Sequence, residues 1–143
     1  MNPTILIVDD CPDIARIIAR HLESASYGTV TATNGFEARR VLAGMTPDCV
    51  VLDLMMPGMS GAELLHQLRN DPTTAGIPVV LVSARVGYHG THFSTQVDAD
   101  YSVGKPFTRH QIVAAVRTVL ARKAGIALEA LPPPPRNDVH PRC

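Results

Sequence analysis

Along the chain, short and wholly apolar runs alternate with stretches whose apolar residues recur every three or four positions. Thr4-Ile5-Leu6-Ile7-Val8 is β-branched and apolar, as a strand covered on both faces should be. Pro12 suits the first turn of a helix, and Ile14, Ile17, Ile18 and Leu22 form an apolar stripe with Arg16, Arg20 and Glu23 on the other side. Thr29 to Thr33 is more polar and reads as an edge strand. Asn34 with Glu37 makes a capping-box pattern that opens a second helix. Cys49 to Leu52 is the next buried strand, and Ser60 with Glu63 caps a helix bearing Leu64, Leu65 and Leu68. Asp71-Pro72 and Gly76 punctuate before a strand from Pro78 to Val82. Tyr101 to Val103 forms a brief last strand. Thr108 with Gln111 then caps a helix carrying Ile112, Val113, Val116, Val119 and Leu120.

One segment resists the pattern. The alternation requires a fourth helix from Arg85 to Val97, yet Gly87, Gly90, two histidines, Thr91, Ser94 and Thr95 fall there. Each glycine costs about 1 kcal/mol relative to alanine inside a helix, so a short, irregular or mobile helix is expected. Leu131-Pro132-Pro133-Pro134-Pro135 begins an extended tail that cannot join a packed core. Residues 1–124 are therefore read as one domain and 125–143 as a Pro-rich tail expected to be disordered.

Five strands and five helices in alternation imply a doubly wound parallel α/β sheet, since right-handed crossovers exclude most other topologies. Ligands of such sheets bind beyond the carboxyl ends of the strands. Asp9 and Asp10 end the first strand, Asp53 the third, Ser83 the fourth and Lys105 the fifth. With strand order 2-1-3-4-5 these ends are neighbours.

Composition adds little and excludes much. The chain has 143 residues and a formal net charge of zero, so neither nucleic acid nor anionic lipid is favoured as a partner. Cys11, Cys49 and Cys143 have no metal-type spacing, and their odd number suggests no disulfide framework. No secretion signal and no run long enough to insert in a membrane is visible. A cytoplasmic setting is the simplest expectation. His89 and His92 read as surface residues and Cys11 as incidental.

Three carboxylates in a small space repel one another, so one must protonate or a cation must enter. Hard divalent ions with oxygen ligands, Mg²⁺ above all, suit such a set. A carboxylate held beside a cation and a lysine can attack phosphorus and form an aspartyl phosphate. Lys105 would neutralise the arriving charge, and the Ser83 hydroxyl could donate to a phosphoryl oxygen.

Val8-Asp9-Asp10, Asp53-Leu54-Met55-Met56-Pro57-Gly58-Met59-Ser60-Gly61, Ser83-Ala84 and Lys105-Pro106-Phe107 together resemble the response-regulator receiver domain of two-component signalling. The resemblance covers residues 4 to about 123 and implies a flavodoxin-like fold. It implies that Asp53 accepts a phosphoryl group from a sensor histidine kinase or a histidine phosphotransfer protein. It implies Mg²⁺ (or Mn²⁺) held by Asp10, Asp53 and the Met55 carbonyl, with Asp9 acting through a water. Ser83 would be the switch hydroxyl, Lys105 the phosphate partner, and Lys105-Pro106 a candidate cis bond. The chain is expected to be no enzyme beyond its own phosphorylation and dephosphorylation. It is expected to be a single-domain regulator or to lack its output domain, with an unidentified downstream protein target and a homodimer among its candidate states. The competing reading is a receiver-like interaction module that works without phosphorylation.

The chain departs from the family three positions before the lysine, where receivers usually carry an aromatic residue. Ser102 stands there and Tyr101 one position earlier. Either the switch lacks its aromatic reporter, the reading preferred here, or a bulge lets Tyr101 substitute.

Overall fold

A computed structural model describes residues 2–83 and 99–125. The strands are β1 (Thr4–Val8), β2 (Gly28–Ala32), β3 (Cys49–Asp53), β4 (Val79–Ser83) and β5 (Tyr101–Gly104). The helices among the described residues are α1 (Pro12–Ser24), α2 (Gly35–Gly44), α3 (Gly61–Asn70) and α4 (Arg109–Ala124). All strand pairs are parallel, in the order β2-β1-β3-β4-β5. The expected fourth of five helices, His89, His92 and the Pro-rich tail lie outside the described residues.

Alternation along the strands sorts the core into two layers. Ile5, Ile7, Val51, Val80, Val82 and Val103 pack with α1 and α4, while Leu6, Val8, Val50, Leu52, Val79 and Leu81 pack with α2 and α3. Every residue of β3 and β4 is buried, which explains why their sequences are continuous apolar runs. The edge strand β2 is only partly covered and accordingly carries Thr29 and Thr31. Ile14, Ile18 and Leu22 of the α1 stripe are buried. On α4, Ala121 takes a buried position while Leu120 is only partly buried.

Local hydrogen bonds fix where the helices start. Asn34 accepts from the Glu37 N–H, and Glu37 in turn accepts from the Thr33 N–H, one residue before the expected partner. Thr108 and Gln111 form the full reciprocal capping box, which satisfies two otherwise orphaned donors. Gly125 ends α4 in the left-handed region at φ 78°, where a side chain would strain the backbone.

At the edge where the strands begin, Arg69 ties the fold together. Its Nη1 donates to the carbonyls of Ala75 (3.0 Å) and Ile77 (2.7 Å), and its Nη2 reaches Asp100 at 2.9 Å. The same Asp100 oxygen accepts the Val79 N–H at 2.7 Å, and Arg122 donates to the Asp100 carbonyl at 3.0 Å. Asp100 thus fastens the entry of β5 to the start of β4, with α3 and α4 each contributing an arginine.

Candidate functional site

Strand register sets the site. Val8 lies opposite Leu52, so Asp9 follows β1 level with Asp53, which itself pairs with Val82. Backbone bonds carry the order past the strand ends: Asp9 N–H to the Ala32 carbonyl, Leu54 N–H to Val82, and Lys105 N–H to Ser83. Carboxylates, hydroxyl and lysine therefore arrive at one edge by continuation of the sheet, at the carboxyl ends where such sheets bind ligands.

Asp9 and Asp53 are buried, at 1% and 4% exposure, whereas Asp10 is exposed. Each of the three can offer an oxygen within 4.8 Å of the others. Lys105 Nζ stands 3.2 Å from Asp9 Oδ2 and 3.6 Å from Asp53 Oδ2. The remaining oxygens are held by backbone: Asp9 Oδ1 accepts from Cys11 N–H (2.9 Å) and Asp53 Oδ1 from Met55 N–H (3.2 Å). Ser83 is fully buried one residue beyond the strand partner of Asp53. The Lys105–Pro106 peptide bond is cis.

Burial pushes the Asp53 carboxyl up to about 7, with the Asp9 carboxylate adding to the rise and Asp10 a smaller share. The Lys105 ammonium and the Met55 N–H pull the other way without cancelling it. One lysine thus leaves the three acids under-compensated, the condition a divalent cation relieves. The donors are all hard oxygens, which fit a hard divalent cation rather than a thiophilic metal. Asp9, Asp10 and Asp53 form the group among the described residues that could hold such an ion.

The other expected residues fall as follows. Tyr101 to Gly104 pair with Val80 to Ser83 without a bulge, so Tyr101 and Ser102 point to opposite sheet faces. Tyr101 packs with the α1 and α4 layer, whereas the strand partner of Ser102, Leu81, belongs to the other layer. Of the three methionines after Asp53, Met56 and Met59 are buried and Met55 is 54% exposed. Cys49 is buried and free, and burial raises its thiol pKa. A cavity of about 460 Å³ beside Met45 and Thr73 lies at the opposite edge, and its Asp71 carboxylate is already engaged by Thr73.

Comparison with known proteins agrees with this architecture. The family model for the response regulator receiver domain matches residues 5–117, and the chain belongs to that family. It is 39% identical over 122 residues to the phosphate regulon transcriptional regulatory protein PhoB of Pseudomonas aeruginosa, covering 85% of this chain and 53% of that one. The chain thus spans about half the length of that curated relative. Among solved structures, the receiver domain of a signal transduction histidine kinase from Syntrophus aciditrophicus is 32% identical with a TM-score of 0.76, covering 84% of this chain and 91% of that one. The Francisella response regulator 1452 receiver domain is 29% identical with a TM-score of 0.76, covering 85% and 98%. The fold and the signalling class are therefore those of receiver domains.

Proposed function

We propose that the chain accepts a phosphoryl group on Asp53 from the phosphohistidine of a sensor histidine kinase or a histidine phosphotransfer protein. The observation that carries this reading is the Lys105 ammonium held between the buried Asp9 and Asp53 carboxylates, 3.2 Å and 3.6 Å away. A buried carboxylate in such company is poised for nucleophilic attack rather than for holding the fold together.

Of the two Asp53 oxygens, Oδ1 accepts the Met55 N–H and Oδ2 faces Lys105. One of them forms the new P–O bond as the P–N bond to the donor imidazole breaks, and the imidazole leaves after taking up a proton. Lys105 offsets the charge of the acyl phosphate, and the Ser83 hydroxyl donates to a phosphoryl oxygen. Mg²⁺ or Mn²⁺, held by Asp10, Asp53 and the Met55 carbonyl with Asp9 acting through a water, would supply positive charge that lets a phosphoryl group approach three acids. Asp10 is the exposed member of the set and would leave the site open to donor and water. Ser102 replaces the aromatic reporter, and Tyr101 stays with the core. The phosphorylated form alters the hold on a downstream protein, and we assign the chain no chemistry beyond gaining and losing its own phosphoryl group.

The test is a mass measurement after incubation with acetyl phosphate. A gain of one phosphoryl group that requires Mg²⁺ and disappears in Asp53→Ala supports the reading. A chain that gains no mass yet still binds its partners would instead be an interaction module working without phosphorylation.

A further inference from the structure

The segment joining β3 to α3, residues 54–60, starts at Asp53 and includes the Met55 peptide that holds Asp53 Oδ1. Whatever fixes this segment fixes the acceptor. Two glycines close on it from different elements.

A Cβ on Gly61 would overlap the Asp53 carbonyl oxygen and lie 2.7 Å from Leu54 Cα and 2.9 Å from the Asp53 carbonyl carbon. All three atoms are backbone, so nothing there can turn aside. The Gly61 N–H also donates to the Leu54 carbonyl at 3.0 Å, tying the first turn of α3 to the peptide it touches. On the other side, a Cβ on Gly35 at the start of α2 would lie 2.6 Å from Met59 Sδ and 3.0 Å from its Cβ and Cγ. Met59 is itself buried, so α2 holds the far end of the segment through that side chain. Neither glycine is among those with positive φ, which are Gly58 and Gly125. What positions 35 and 61 require is the absence of a side chain, not conformational freedom.

The geometry points to Gly61, and secondarily Gly35, as positioning residues that set the placement of Asp53 and the Met55 peptide for cation binding and phosphoryl acceptance. This rests on the reading of Asp53 as the acceptor. Mg²⁺ demands near-ideal octahedral geometry, and a displacement of about 1 Å can cost roughly 100-fold in a positioned reaction. A methyl at position 61 can be admitted only by a backbone shift where the first turn of α3 meets the Asp53–Leu54 peptide. A methyl at position 35 meets a flexible thioether chain that can re-pack, so its effect is smaller and of the same sign. Gly44, with no atom within 4 Å of a built Cβ, is the internal control.

The experiment compares Gly61→Ala, Gly35→Ala, Gly35→Ala with Met59→Ala, and Gly44→Ala. Mg²⁺ affinity is measured by calorimetry and acetyl-phosphate-driven mass gain by spectrometry, at a temperature where circular dichroism shows each variant folded. Gly61→Ala is expected to weaken Mg²⁺ binding by ~10-fold or more and to slow the mass gain. Gly35→Ala is expected to do so less, with Met59→Ala restoring the affinity, and Gly44→Ala to match the wild type. A Gly61→Ala chain that melts lower yet binds Mg²⁺ like the wild type overturns the proposal. Should Gly61→Ala not fold, unchanged Mg²⁺ affinity in Gly35→Ala overturns it instead. A wild type that binds Mg²⁺ but gains no mass removes the acceptor reading, while the affinities still decide the positioning role.

Discussion

Lys105 lies nearer to Asp9 than to Asp53, at 3.2 Å against 3.6 Å. Its ammonium therefore rests on Asp9 rather than on the proposed acceptor, close enough to shift toward a new charge on Asp53. The same ammonium repels any divalent cation placed among the three carboxylates. Lys105→Met should accordingly tighten Mg²⁺ binding by roughly 10-fold, the scale of one partly screened charge, while slowing phosphorylation by acetyl phosphate. Calorimetry and the mass assay read the two effects separately, and weaker Mg²⁺ binding in the variant would show the lysine organising the site instead of opposing the ion.

The proposed acceptor also leaves a mark on stability. In the metal-free fold the Asp53 carboxyl titrates near 7, against an ordinary 3.8, so between those values the folded state holds a proton that the unfolded state has released. Its contribution to stability is thus fully present below 3.8 and is lost as pH rises through 7. Asp53→Asn, which cannot ionise, should be more stable than the wild type at pH 8 in a chelator, by on the order of 1 kcal/mol or more. The gap should close toward pH 4. Urea melts at both pH values check this, and an equal gap at the two would assign it to packing.

Met55 exposes 54% of its surface two residues from Asp53, where its thioether offers water no useful hydrogen bond. Met55→Asn supplies an amide that can orient a water toward the acyl phosphate. Loss of the phosphoryl group should then quicken several-fold, followed as mass decay after the donor is removed. An unchanged half-life would mean that the side chain stands clear of the attacking water.

Arg69 is only 16% exposed and satisfies two carbonyls besides pairing with Asp100. Arg69→Ala should cost about 1–3 kcal/mol in chemical denaturation, since it leaves acceptors without their donor. Phosphorylation of Asp53 at a temperature well below the melt should proceed at the wild-type rate. A slowed reaction there would reveal coupling between the two edges of the sheet.

Much of this was readable from the chain. The runs 5–8 and 49–52 are apolar without interruption because both faces of β1 and β3 are covered, and the acids at their ends stand out for that reason. The capping residues Asn34, Ser60 and Thr108 mark helix starts by their own hydrogen bonds. Arg69 and Asp100 gave no such sign, since 31 residues separate them and a single arginine in a helix looks like any solvated charge. Gly61 was visible only as one letter of a longer motif. Its reason for being glycine, contact with backbone seven and eight positions earlier, exists only after folding.

The ion pair between Asp9 and Lys105 joins residues 96 positions apart in the chain, brought together only when β5 has taken its place beside β4. A nascent copy that has made β1 and β3 already owns its aspartates, but not the ammonium that tempers them. If Asp53 is the acceptor, competence arrives with β5, and a half-built or misassembled copy is deaf to its donor. That strand then acts as a seal of completion, keeping half-folded molecules out of the signal.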